Sequence, residues 1–296
     1  MKQRRQGQII NIKRAIIAII IFLLGLGSLL YPTISNLIFE RNGSRARVAY
    51  EEQMAALDEE TRNREWERAE RYNRALTGQS VDGLFLDGSG MALPNDYEST
   101  LNIGGVMGYV EIPKIGVHLP IYHGTSDEVL EIGIGHIEGT TLPIGGETRH
   151  CVITGHTGRV QAKLFTDLNE MRVGDVFFIH VLGEVLAYKV DQLKIIEPEI
   201  IDDLRCFKGK DYFTLMTCTP YGINSHRLLV RGERTDYDPD AADQIEKVRF
   251  SLADIMLIKA AVITSIIVLI VFFIVLFFQR RKRKDEEEEE EEGGPL

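Results

Sequence analysis

Three kinds of side chain able to carry out acyl transfer stand in the second half of the chain, at positions where turns expose them. Cys218 closes the alternating run Thr214-Leu215-Met216-Thr217-Cys218 and precedes the turn Thr219-Pro220-Tyr221-Gly222. A cysteine at a strand end beside a turn reaches the surface, whereas a mid-strand cysteine is usually a small core residue. His156 stands in Thr154-Gly155-His156-Thr157-Gly158, directly after the apolar run Cys151-Val152-Ile153, and the flanking glycines give it backbone freedom. The chain has seven histidines, most of which read as satisfied turn or core groups; His226, eight residues after Cys218, is the main competitor. Arg227 and Arg231 lie on the strand His226–Gly232, where period two puts both on one face and His226, Leu228 and Val230 on the other. An arginine on such a face is ordinarily a solvated edge residue, but Arg227 is nearer the turn and is the better candidate to lean over the cysteine. A thiolate nucleophile, an imidazole acid/base and a cationic donor to a developing oxyanion are together sufficient for acyl transfer through a thioester.

These groups need a scaffold, and residues 105–240 supply one. Short runs of β-branched and aromatic residues (Gly108–Ile112, His118–Ile121, Cys151–Thr154, Val176–Val181, Val185–Val190, Tyr212–Cys218 and Arg227–Arg231) are separated by Gly, Pro and Asp. About seven or eight strands at that spacing predict a mainly β domain, a closed sheet or a sandwich. Brief helical pieces are predicted at Asp127–Glu131 and at Ala162–Met171, where Leu164, Phe165, Leu168 and Met171 share a face. Upstream, residues 44–76 lack Gly and Pro and place Glu60 four before Arg64 and Glu67 four before Arg71. They predict a helical stalk that lifts the domain off the membrane and docks its last turns through Trp66, Ala69, Tyr72 and Leu76. Residues 77–104, rich in Gly, Asp and Ser, read as a long loop.

Two apolar blocks bracket this region. Residues 15–31 follow Lys2, Arg4, Arg5, Lys13 and Arg14 with no acid among them, and run into Tyr31-Pro32-Thr33-Ile34-Ser35 rather than a small-x-small cleavage site. The block reads as an uncleaved transmembrane anchor. Residues 260–278 carry no charge and are followed by Arg280, Arg281, Lys282, Arg283 and Lys284; as a helix they extend about 28 Å, close to the hydrocarbon thickness. Basic flanks stay in the cytoplasm. The expectation is a multi-pass protein of the cell membrane with two spans, residues 1–14 and 279–296 inside, and the catalytic segment outside. The acidic run Asp285–Glu292 reads as a solvated tail. A net charge of −10, from 34 Lys+Arg against 44 Asp+Glu, argues against nucleic acid as a partner. The three cysteines, Cys151, Cys206 and Cys218, exclude a disulfide-dense scaffold and form no CxxC pair. With no clustered acidic loop in the domain, no metal or other cofactor is expected. Cys151, in an apolar strand, reads as a buried thiol, while Cys206 reads equally as a thiol or as half of a disulfide.

The string TLMTCTPYGINSHRLLVRG closely resembles the signature of sortases, and GYVEIPKIGVHLPIYHGT and TGHTGRVQAKLF extend the resemblance over about residues 105–235. The short Thr-Pro-Tyr-Gly-Ile-Asn-Ser-His-Arg connection, the C-terminal span and the long N-terminal extension are similar to the pilin-polymerising subgroup, class C. The resemblance implies an eight-stranded β-barrel with Cys218 as nucleophile, His156 as acid/base, Arg227 as the substrate-positioning and oxyanion-stabilising residue, and Thr217 lining the site. It further implies cleavage of a Leu-Pro-x-Thr-Gly-like sorting signal between Thr and Gly and transfer of the acyl group to a pilin lysine. A housekeeping sortase that joins surface proteins to a cell-wall precursor is the alternative, and a non-catalytic scaffold for pilus assembly is the alternative of another class. One departure stands out. Many pilus-type sortases carry an Asp-Pro-aromatic lid motif, and here the loop has Leu86-Asp87-Gly88-Ser89 and Leu93-Pro94-Asn95-Asp96-Tyr97 instead. Asp96 and Tyr97 are the residues from which a lid of other composition would be built.

Overall fold

In the computed structural model the alternating runs become eight strands: β1 (Gly108–Ile112), β2 (Val117–His123), β3 (Ile134–His136), β4 (Arg149–Thr154), β5 (Val176–Val181), β6 (Glu184–Ile196), β7 (Asp211–Thr219) and β8 (His226–Thr235). The structure describes residues 2–77, 96–159, 162–238 and, between 259 and 268, all but 261 and 267. The strands close into a barrel in the order β1-β2-β3-β4-β7-β8-β6-β5. Closure satisfies every sheet edge and gives each strand one inward row of side chains. Ile153, Phe177, Ile179, Tyr188, Phe213, Leu215 and Val230 supply that row and are fully buried.

Seven of these strands are legible as alternating runs, whereas β3 is not. It is three residues long with glycine at its centre, so it presents no pattern. The glycine is needed, because a Cβ at Gly135 would lie 2.3 Å from the carbonyl oxygen of Gly124. The helical piece expected at 127–131 is the α-helix Asp127–Ile132, capped by the Ser126 hydroxyl, and the piece expected at 162–171 is a 3-10 turn at Thr166–Glu170.

The chain divides into two compact units, residues 32–249 and residues 1–31 with 250–296. Helix α1 (Lys2–Ala56) contains Pro32 and a stretch, Ile20–Ala56, long and apolar enough to cross a membrane. The expected second span at 260–278 and the acidic tail lie outside the described residues, apart from a few helical positions between 259 and 268.

The expected stalk at 44–76 is instead two helices packed on the barrel. The Asp58 carboxylate accepts the Thr61 N–H (2.6 Å), which ends α1 and starts α2 (Glu59–Thr77) in a segment whose composition has no helix breaker. A stripe at positions 36, 39, 43, 50 and 54 of α1 turns inward, with Tyr50 and Met54 buried, while α2 buries Ala69, Tyr72, Asn73 and Leu76. Apolar area on this scale is too costly to leave in water, so the helices lie on the domain and become part of its core. Three polar contacts fix them. The Tyr50 hydroxyl accepts the Leu182 N–H (2.9 Å), Glu70 pairs with the buried Arg149 (3.0 Å), and Asn73 exchanges two hydrogen bonds with the backbone of Leu142 (2.7 and 3.2 Å).

Of the expected loop at 77–104, residues 78–95 lie outside the described residues. Beyond them Tyr97 is buried, and its hydroxyl contacts His136 Nδ1 at 2.9 Å and accepts the Gly124 N–H. His136 and His150 are themselves enclosed, and burial pushes both imidazoles down to about 4.

Two expectations follow. Asn73→Ala leaves the Leu142 N–H buried and unpaired while the Leu142 carbonyl keeps the Ile144 N–H at 2.8 Å, and the loss in denaturant titration should be about 1–3 kcal/mol, the cost of one such group. The second concerns pH. Below the ordinary imidazole value of 6.5 the unfolded chain takes up protons at positions 136 and 150 that the folded chain refuses until about pH 4. Stability should therefore be level above that window and decline through it on acidification, and His136→Gln should flatten the slope of the denaturation midpoint against pH.

Candidate active site

Cys218 is the penultimate residue of β7, half-buried where the strand leaves the barrel. Along β7 the inward residues are Phe213, Leu215 and Thr217, so alternation places Thr214, Met216 and Cys218 on the outer face. Its antiparallel neighbour β8 sets Arg227 directly opposite Cys218. Its parallel neighbour β4 pairs Thr154 with Met216, and the Gly155 N–H continues the ladder by donating to the Met216 carbonyl at 3.2 Å. Two residues further on each strand bring His156 level with Cys218. Cys218 thus lies on a central strand with Arg227 opposite it on one neighbour and, on the other, a strand that ends two residues before His156.

The other six histidines are occupied elsewhere. His118 and His180 pair with Glu111, His123 contacts the Thr100 carbonyl, His136 and His150 are buried, and His226 turns to the opposite face of β8 and contacts the Ser225 hydroxyl. His156 is half-buried. Its Nε2 is enclosed with no hydrogen-bond partner among the described residues. Burial, and then the nearby Arg159 cation, lower its pKa against the opposing pull of Asp127 and Glu131.

The two arginines on the outer face of β8 differ in how far their charge is already used. Arg231 makes a two-pronged pair with Asp191 (2.7 and 3.1 Å) and stacks over Tyr212 at 4.1 Å. Arg227 donates through Nη1 to the carbonyls of Asn224 and His226, both at 3.2 Å, which hold the side chain beside the connection and leave its other donors for an incoming oxygen. Asn224 occupies the left-handed region (φ 59°), a conformation that asparagine tolerates. Tyr221, at the tip of the same connection, lies over Gly158, which also has positive φ and where a Cβ would stand 3.0 Å from the ring.

Thr217, expected to line the site, faces the other way. It is 3 % exposed, and its hydroxyl donates to the Gly155 carbonyl at 2.7 Å. The period of two that exposes Cys218 necessarily turns its neighbour inward. Asp96 and Tyr97, the residues available for a lid, are also placed elsewhere: Asp96 pairs with Arg68 on α2 and Tyr97 packs against Tyr72 and His136. Leu86-Asp87-Gly88-Ser89 and Leu93-Pro94-Asn95 lie outside the described residues. The three cysteines are free thiols, with Cys151 buried and its pKa pushed up by burial. Among the described residues no group of three or more His, Cys, Asp and Glu is arranged to hold a metal ion.

Cys218 and Arg227 thus face each other across adjacent strands of a closed barrel, with His156 just beyond the end of β4, and comparison with known proteins gives the class to which the chain belongs. The sortase domain signature matches residues 110–235. Sortase C-1 from Streptococcus pneumoniae is 46 % identical, with the match covering 66 % of this chain and 100 % of that one at a TM-score of 0.59. The sortase C1 of GBS pilus island 1 is 42 % identical over 66 % of this chain and 93 % of that one, at a TM-score of 0.60. Sortase D of Bacillus subtilis is 29 % identical over 134 residues, 44 % of this chain and 65 % of that protein's own length. The chain belongs to the sortase family.

The contrast between the arginines is measurable. Arg227→Ala should slow acylation of Cys218 by a sorting-signal peptide by roughly 10²–10³-fold, the usual cost of an oxyanion donor, at an unchanged thermal midpoint. Arg231→Ala should lower the midpoint and leave acylation within a few-fold, as followed by mass spectrometry of the acyl-enzyme.

Proposed function

We propose that the chain is a membrane-anchored cysteine transpeptidase that cleaves an LPXTG-like sorting signal between Thr and Gly and transfers the acyl fragment to a pilin lysine. The reading is carried by the pairing of Cys218 with Arg227 across the β7–β8 ladder, and supported by the position of His156 two residues beyond the end of β4, the parallel neighbour of β7. In this reading the Cys218 thiol passes its proton to His156 as Sγ attacks the threonine carbonyl carbon. The resulting oxyanion lies against the free donors of Arg227. Collapse breaks the Thr–Gly bond, and the imidazolium protonates the departing glycine amine. An imidazole whose surroundings disfavour its charged form gives that proton up readily. In the second half the lysine amine attacks the thioester, His156 takes its proton, and Cys218 departs as thiolate and is reprotonated. The half-buried Met216, on the same strand face as Cys218 and two residues before it, offers apolar surface to the Leu and Pro side chains of such a signal.

The pilin acceptor is supported by the identity to sortase C-1 and to the sortase C1 of a pilus island. The bilayer as partner is supported by the apolar stretch in α1. Two spans with both termini cytoplasmic are supported by the basic flanks at residues 2–14 and 280–284. A housekeeping acceptor, a cell-wall precursor, remains the second reading, since the attacking amine changes while the site chemistry does not.

Incubating the protein with a pilin that carries both sorting signal and acceptor lysine separates the readings. Isopeptide-linked ladders on denaturing gels are the expected result, and Cys218→Ala should remove both ladders and the trapped acyl-enzyme while leaving the circular dichroism unchanged. Cleavage without ladders would transfer the assignment to a housekeeping role. Absence of labelling at Cys218 by a sorting-signal electrophile would leave only the scaffold.

A further inference from the structure

We propose that Asn36, on the helix that leads out of the apolar N-terminal segment, is a positioning residue for His156. The proposal rests on the assignment of His156 as the acid/base. Catalytic imidazoles are usually held by a third group that bonds the ring. Here Nε2 is buried with no hydrogen-bond partner among the described residues, so the burden of placing the ring falls on the backbone that carries it.

That backbone is a loop pinned at its base and at its far side. At the base the Phe165 N–H donates to the His156 carbonyl (3.1 Å) and the Gly158 N–H to the Thr166 hydroxyl (3.1 Å). On the far side the Lys163 N–H donates to Asn36 Oδ1 at 2.7 Å, across 127 positions of sequence. Lys163 is two residues before Phe165, with Leu164 between them buried in the left-handed region (φ 43°), so the bond to Asn36 acts on the residues that hold His156 in place. The amide of Asn36 is oriented for this task. Its Nδ2 donates to Glu40 Oε1 at 2.8 Å, one turn along the helix, which leaves Oδ1 as the acceptor.

The helix is a rigid support for such a bond. Phe39 packs against the barrel core, Gly43 is buried against β2 beside Leu119 and Pro120, and Tyr50 bonds to Leu182. Asn36 is the first polar member of this inward stripe, five residues after Tyr31, where the apolar block ends. The same helix that enters the bilayer in the proposed topology thus also locates the proton-transfer group.

The test uses the full chain in detergent micelles, with two independent readouts. The first is the titration of the His156 Cε1–Hε1 resonance, which needs no substrate; the second is single-turnover acylation by a sorting-signal peptide. Asn36→Leu removes the acceptor. It should raise the His156 midpoint toward its ordinary value as the loop loosens and hydrates, and lower the acylation rate about tenfold, one decade of rate, with KM within twofold. The pair Asn36→Asp with Glu40→Gln keeps an oxygen toward Lys163 and an amide facing it from the next turn, and should restore both readouts to within twofold. If Asn36→Leu does not fold, Asn36→Ala removes the same oxygen without added bulk and has the same expected outcomes. An unchanged titration and an acylation rate within twofold of the parent, or a loss that the paired variant does not restore, would overturn the proposal. If the parent itself forms no acyl-enzyme, the transpeptidase reading fails, and the titration still decides whether Asn36 positions His156.

Discussion

Everything at the site depends on the lateral register of one strand. β7 is paired in parallel on one side and antiparallel on the other; the antiparallel ladder sets Arg227 opposite Cys218, and the parallel one ends with Thr154 opposite Met216, two residues before His156. Because side chains alternate faces along a strand, a slip of one residue in either ladder would move the partner to the barrel interior. The register is held by the inward row. Phe213 and Leu215 of β7, Ile153 of β4 and Val230 of β8 each fill part of a closed core that has no second way to pack. The hydrophobic effect thus fixes a polar geometry that no polar contact among the three groups would have to enforce.

The same logic explains why Arg227, and not Arg231, is free to act. Both occupy outer positions of β8, but toward the middle of the sheet Arg231 meets Asp191 and the face of Tyr212, and its charge is neutralised there. At the strand end the hydrogen bonds of Arg227 among the described residues go to carbonyl oxygens of a tight connection. Carbonyls orient a guanidinium without cancelling it. At His156 burial, and then the nearby Arg159 cation, disfavour the charged form of the imidazole.

The N-terminal helices are part of the catalytic domain rather than a spacer beneath it. Tyr50, Met54, Tyr72, Asn73 and Leu76 contribute to the core, and Asn73 and Glu70 close polar contacts with the segment between β3 and β4 and with β4 itself. Support for β4 is support for the residues that follow it.

Local chemistry was legible in the residues themselves. Alternation identified seven strands, the turn after Cys218 marked it as the exposed cysteine, and the outward phase of β8 separated Arg227 from His226. The signals that failed were those whose meaning depends on distant partners. A three-residue strand centred on Gly135 has no periodicity, because a neighbouring carbonyl rather than a pattern dictates the glycine. The inward stripe of α1 was hidden because its members, Asn36, Phe39, Gly43, Tyr50 and Met54, are of mixed polarity and become one face only when a barrel lies against them. The residue types and their two-fold periodicity determined which groups could react and on which strand faces they stand. Only the closed barrel decided that β7 lies between β4 and β8 and that Arg227 stands opposite Cys218, because pairing between strands far apart in the chain is chosen by how the whole core packs.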